Sequence, residues 1–295
     1  MIPTLLALFS FVTIGVGSPT QTAPPAVPPA YQAVLTSLGR PGDFKDGVLK
    51  VNLGRSDLKV TINGRAVPTP LGFGGWVAFT AGDMNMTVMM GDLVLTEDQV
   101  NPVMSALLDN GLEATALHNH FFWETPRVFY MHVHGHGDLG DLAKRVKPAI
   151  DLMMKNVTPA QPAPPPALTF DSAALAKIVG ANGEQSGPVY KITIGRADLS
   201  VKEMGAVINA RMGLNTWAAF TGTDDSAVVA GDVAMLGKEV TPVLIAMRKA
   251  GLNVVSLHHH MIGTQPELYF LHYWGEGKAA TLAAGVRSAL DLLGK

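Results

Sequence analysis

The chain of 295 residues contains no cysteine. That excludes disulfides, Cys-ligated zinc, iron–sulfur ligation, a thiol nucleophile and lipid attachment through a cysteine thioether. A basic excess is missing too: 22 Lys and Arg stand against 24 Asp and Glu, for a formal net charge of −2. With a pI near 6.5 and no cationic patch, nucleic acid is not an expected partner. There is no Gly-x-Ser-x-Gly, no phosphate-cradling glycine-rich loop and no His-Glu-x-x-His, so three common catalytic signatures are absent. His118-Asn119-His120 spells the name of a nuclease motif, but a weakly acidic chain does not support one.

The apolar run of residues 1–17 is short for a bilayer span and has no Lys or Arg before it. Gly15, Gly17 and Ser18 supply small residues near its end, and it reads as a secretory signal. The expectation is export to the periplasm, cell surface or medium, with no transmembrane domain in the mature chain.

What the chain has is an apolar fraction of 47% and a mean hydropathy of +0.23, enough for well-buried cores in two ordinary domains. Residues 18–30 and 156–170 are rich in Pro, Ala and Thr and read as extended linkers. They bracket two similar modules, residues 31–155 and 171–295. Leu53-Gly-Arg55-Ser-Asp57 matches Ile194-Gly-Arg196-Ala-Asp198, and Trp76-Val-Ala-Phe79-Thr80 matches Trp217-Ala-Ala-Phe220-Thr221. Gly91-Asp92 matches Gly231-Asp232, and Val100-Asn-Pro102-Val103 matches Val240-Thr-Pro242-Val243.

Apolar spacing predicts helices over 31–38 and 172–179, and strands over 47–53, 76–80, 86–95 and 189–194. Thr96-Glu-Asp-Gln99 is a capping-box pattern, and Gly111 is placed as a helix stop. Two strands around Pro126 follow, then a helix from Leu139 to Met153. The expected class is α+β: two tandem homologous modules, each a mainly antiparallel sheet with about two helices on one face.

All nine histidines lie in two matching windows, His118 to His136 and His258 to His272. Each window has His-x-His and a further His twelve residues on: His118, His120, His132, and His258, His260, His272. On strands meeting near Pro126, pairing parity puts His118, His120, His132, His134 and His136 on one face. In the second copy the same parity gathers His258, His260, His272 and Glu276, and turns His259 away. The opposite face, with Leu117, Phe121, Trp123, Phe129, Met131 and Val133, is expected against the helices. Three imidazoles at cross-strand spacing can converge on one ion.

The expected ligand is therefore a divalent transition metal, zinc or copper, held once per module through His118, His120 and His132, and through His258, His260 and His272. His134, His136 and His259 are unmatched between the copies and read more simply as hydrogen-bonded strand residues. Further candidates are Glu124 and Glu276, with Asp92 and Asp232, whose position after Gly fits a turn cap equally well. Asp57 and Asp198 read as partners of Arg55 and Arg196. Met84, Met86, Met89 and Met90 are a copper-like set without counterparts in the second module, and read as packing.

The residues also resemble the LppY/LpqO-type bacterial proteins of unknown function. The resemblance lies in Gly91-Asp92-Leu-Val-Leu-Thr96-Glu97, Val100-Asn101-Pro102-Val103, Ala116-Leu117-His118-Asn119-His120 and Pro126-Arg127-Val-Phe-Tyr-Met-His132, repeated with drift in module two. It implies an exported or surface bacterial protein and brings no activity. Named members are lipoproteins; a chain without cysteine would be soluble or otherwise anchored. Three function classes stand: a metal-binding protein, a metal-dependent hydrolase or oxidoreductase, and a cell-envelope module binding a small molecule with structural histidines.

Overall fold

The computed structural model describes residues 26–158 and 166–295. The segment read from sequence as a secretory signal, residues 1–17, lies outside the described residues, as do 18–25 and 159–165 of the two expected linkers. Among the described residues, no helix is long and apolar enough to cross a membrane.

The first module runs α1 (Pro29–Leu38), β1 (Asp43–Lys45), β2 (Val48–Gly54), β3 (Thr61–Ile62), β4 (Arg65–Ala66), β5 (Gly74–Ala81) and β6 (Thr87–Thr96). It continues with α2 (Glu97–Asp109), β7 (Glu113–His118), β8 (Glu124–Thr125), β9 (Val128–Gly137) and α3 (Leu139–Met153). The second repeats the order: α4 (Ser172–Val179), β10 (Gly183–Ser186), β11 (Val189–Gly195), β12 (Lys202–Glu203), β13 (Ala206–Val207), β14 (Asn215–Gly222) and β15 (Ala227–Leu236). Then come α5 (Gly237–Lys249), β16 (Asn253–His258), β17 (Leu268–Gly277) and α6 (Ala279–Leu290). Each module builds a six-stranded antiparallel sheet, in the orders β1-β2-β5-β6-β9-β7 and β10-β11-β14-β15-β17-β16. The class is α+β in two homologous modules, with three α-helices in each among the described residues.

Odd-numbered strand residues of the first module, including Val51, Leu53, Val77, Phe79, Met89, Leu93, Met131 and Val133, join the helices in one core. Helix α3 offers Leu142, Ala143, Val146, Ala149, Ile150 and Met153, a spacing that lays one stripe along that sheet. Its start is fixed by Asp138, whose carboxylate accepts from the Asp141 N–H at 2.9 Å. At α2 the Thr96 N–H donates to Gln99 Oε1 at 3.2 Å, the returning half of the capping box.

The helix-free faces of the two sheets are turned towards each other. Ala78, Val88 and Met90 of the first module share a core with Val201, Ile208, Met212 and Phe270 of the second. Val94 and Tyr130 likewise share one with Ala219, Ala230 and Trp274. The long connections cross over: Leu58, Val60, Leu71 and Phe73 belong to the latter cluster, and Val201, Ala206 and Met212 to the former. The layers thus run helices, sheet, sheet, helices. This explains why β6 and β15 read as nearly continuous apolar runs, since both of their faces are covered.

Two expectations need correction. Phe121 packs in the core between the modules, and Leu117 and Trp123 are exposed rather than packed on the helices. For Phe121 and Trp123 the reason is that the chain leaves the sheet after His118, so residues beyond it no longer follow strand parity, and Glu124–Thr125 pairs instead with β3. Leu117 keeps its register opposite Met131 but lies on the edge strand β7, where it stays exposed. Met89 and Met90 are buried, whereas Met84 and Met86 are exposed.

Candidate metal centre

Strand register lays down one row of side chains per module on the facing sheets. In the first it runs Asn52, Trp76, Asp92, His132, Ala116 across β2, β5, β6, β9 and β7. In the second it runs Thr193, Trp217, Asp232, His272, Ser256. His118 lies opposite Tyr130 and His258 opposite Phe270, so His118 and His132 share a face as parity requires. His120 and His260 sit just beyond β7 and β16, outside the sheet.

All six matched histidines meet in one cluster between the modules. His118 stacks on His258 with ring centroids 3.7 Å apart. His120 lies 3.6 Å from His272, and His132 lies 3.9 Å from His260. Within one module the rings stand farther apart, 5.2 Å for His118–His120 and 5.3 Å for His258–His260. Ligand atoms lie within 4.8 Å of one another in three groups: His118, His120 and His272; His118, His132 and His258; Asp232, His258 and His272. Every group draws on the second module, and two draw on both. The fold therefore joins what the sequence spacing suggested as separate triads.

Two hydrogen bonds across the module boundary hold the loop histidines. The Thr115 hydroxyl donates to the His260 carbonyl at 2.7 Å, and the Ser256 hydroxyl donates to the Asn119 carbonyl at 3.0 Å. Asn119 Nδ2 donates to the Val128 carbonyl at 2.7 Å, and His259 Nδ1 meets the Leu268 carbonyl at 3.0 Å in the equivalent place. His259 is thus a loop fastener. Tyr130 stacks on His120 and Phe270 on His260.

The Nε2 atoms of all six cluster histidines are buried and have no hydrogen-bond partner. Carbonyl oxygens take the other nitrogen in several rings: Gly231 meets His272 Nδ1 at 3.2 Å, His259 meets His258 Nδ1 at 3.1 Å, and Gly91 bonds the His132 ring. An Nδ1–H held this way leaves Nε2 as a lone-pair donor, the arrangement usual around metal-bound imidazole. Burial, then the neighbouring imidazoles, holds His118, His120 and His260 well below the ordinary histidine range. His132 and His272 are likewise lowered, chiefly by burial, and His258 is brought down to about 4. A cluster of neutral, unpartnered imidazoles is a donor set suited to a divalent transition ion. Bonds of 2.0–2.1 Å place tetrahedral ligand atoms about 3.4 Å apart, so modest side-chain movement brings these groups to a metal.

Asp92 and Asp232 are not turn caps: both stand mid-strand, buried, and paired directly across the sheet with His132 and His272. Burial pushes Asp92 up to about 8 and Asp232 well above its ordinary range. Asp232 Oδ2 lies 3.7 Å from His260 Nε2. The preceding glycines admit the close strand contact, for a Cβ on Gly91 would stand 2.8 Å from the Trp76 carbonyl oxygen.

Other candidates lie elsewhere. His134 Nε2 is 2.7 Å from Glu203 Oε1, an ion pair between modules, and His136 is exposed. Glu276 accepts from Trp274 Nε1 at 3.0 Å on the exposed end of β17. Glu124 is buried, with Arg127 Nε 3.7 Å away. Asp57 and Asp198 hold Arg55 and Arg196, which also reach the Val94 and Ala234 carbonyls. Sequence reasoning missed Lys50 and Lys191, whose ammonium groups lie 4.2 Å over the rings of Trp76 and Trp217. Their signal was an identical lysine at the matched position of two alternating strands.

Among known proteins, the chain matches the family described as Domain of Unknown Function (DUF1259) over residues 32–152 and again over 173–292. No curated protein matches it. Similar solved structures include the trimeric bacterial microcompartment shell protein PduB, 12% identical over 83% of this chain and 86% of that one, with a TM-score of 0.20, and EtuB from Clostridium kluyveri, 9% identical over 84% and 90%, with a TM-score of 0.21. At such scores neither likeness bears on fold or assembly.

Proposed function

We propose for this chain, which belongs to the DUF1259 family and contains the family's domain twice, that it binds a divalent transition metal in one centre shared by its two modules. The observation that carries this is the set of six buried Nε2 atoms without partners, contributed equally by both repeats. Zinc and copper are the ions whose preferences suit an all-imidazole set. Neutral imidazoles with no bound ion would leave several buried acceptors unsatisfied, at a cost of roughly 1–3 kcal/mol each. Export, and kinship with LppY/LpqO-type proteins, belong to the same proposal; the first is supported by the apolar leader and the second by the quoted motifs alone.

Elemental analysis of untagged protein after loading with zinc or copper tests it. Tight retention of metal, lost on removing one cluster histidine from either module, is the expected result; no retention under any loading contradicts it. A second reading, a metal-dependent hydrolase or oxidoreductase, is favoured by a cavity that opens on His120, His260 and His272. Turnover that disappears with the metal would establish it.

A further inference from the structure

Beside the histidine cluster the two sheets enclose a cavity of about 600 Å³, walled by both modules. A volume of this size suits a small organic molecule rather than a bare ion, since such sites commonly span roughly 300–1,000 Å³. Its walls carry Lys50 and Lys191, residues in equivalent places on β2 and β11. Each ammonium lies over a tryptophan ring of its own module, and among the described residues neither has a carboxylate within ion-pair distance. Arg211 adds a buried Nε–H without a partner, although its Nη2 is held by Asp43.

Two like charges brought together from both repeats oppose folding; Asp92 and Asp232 attract them, but only from beyond ion-pair distance. Desolvation is strong enough to bring each lysine down to about 8, and Lys191 contributes to the shift of Lys50. Packing alone gives no reason for a lysine at this position in both copies, because the tryptophan face would be covered equally well by an apolar chain. A metal ion supplies no explanation either, since ammonium groups do not ligate cations.

We propose that this cavity binds a small carboxylate-bearing organic acid, its carboxylate seated by Lys50, Lys191 and Arg211 and its other end directed towards His120 and His272. Trp76 and Trp217 supply flat apolar walls for the carbon skeleton. Asp92 and Asp232 share the lining. Only the far end of the ligand depends on the metal centre proposed above; the lysine end stands without it.

Calorimetric titration of the full chain with acetate, succinate and benzoate, each against its neutral amide and against inorganic phosphate, tests the assignment. Metal content is measured on the same samples. At least one acid is expected to bind while its amide does not. Lys191→Met and Lys50→Met are expected to weaken that binding about tenfold or more, with metal content unchanged and Lys191→Arg restoring part of the loss. Failure of all three acids, equal binding of acid and amide, preference for phosphate, or indifference to both methionine variants would each overturn the proposal. Lysine-dependent acid binding in a protein that holds no metal would uphold this site while ending the metal reading.

Discussion

His118 of the first module has its nearest imidazole neighbour in the second, His258, at a ring separation of 3.7 Å. The pairs His120–His272 and His132–His260 flank this contact in like fashion. A ligand binding to nitrogens of both modules binds only the folded, docked arrangement, so it must stabilise the whole chain.

Zinc should therefore raise the unfolding free energy, by about 2.7 kcal/mol at a free concentration one hundred times Kd. His118→Ala should lose most of that gain while unfolding normally without metal. Denaturant curves with and without zinc check this; an equal metal-induced gain in the variant would count against a ligand role for His118.

Acid should destabilise the metal-free protein. The cluster histidines are held neutral in the fold, with His258 near 4 and the others well below the ordinary value, whereas in the unfolded chain they titrate near 6.5. Between those limits the unfolded state binds more protons, so stability is full above about pH 6.5 and falls as pH drops towards 4. The urea midpoint at pH 5 should lie well below that at pH 7.5. A midpoint constant across the range would refute the neutral cluster.

The lysines follow the same sign in a higher pH window. Burial lowers Lys191 to about 8, against about 10.4 when unfolded. The penalty for keeping it charged in the fold is complete below pH 8 and vanishes as pH rises towards 10.4. Lys191→Met should then raise Tm at pH 7, with the gain shrinking by pH 10. A loss of Tm at pH 7 would mean that the ammonium over Trp217 is worth more than its desolvation costs.

Much of this architecture is legible in the sequence because duplication doubles every signal. The strands, the helix stop at Gly111 and the shared face of His118 and His132 follow from period and parity alone. What parity does not carry is the path after His118, where the chain leaves the sheet and pairs with β3. Nor does local pattern say that the helix-free faces would pack on each other, and it is this packing that merges two expected triads into one cluster. The same packing turns Lys50 and Lys191, ordinary polar positions in alternating strands, into the walls of a cavity. Asp92 and Asp232 looked like turn residues because Gly precedes them, yet that glycine serves a close strand crossing.

That crossing is itself testable. A Cβ on Gly231 would run into the Tyr273 ring and the Trp217 carbonyl. Gly231→Ala should cost about 1–3 kcal/mol through overpacking, measured by equilibrium denaturation, and should loosen the carbonyl that orients His272. A change below a few tenths of a kcal/mol would show that the strands yield easily there.

The shared centre is tested most directly by metal content in wild type, His132→Ala and His272→Ala, each loaded with zinc and freed of excess. These two residues sit in different modules but border the same cluster. One tightly held ion in wild type, lost or severely weakened in both variants, is the predicted result. Two ions in wild type with one surviving in each variant would mean that each repeat keeps its own site, and the shared centre would be wrong.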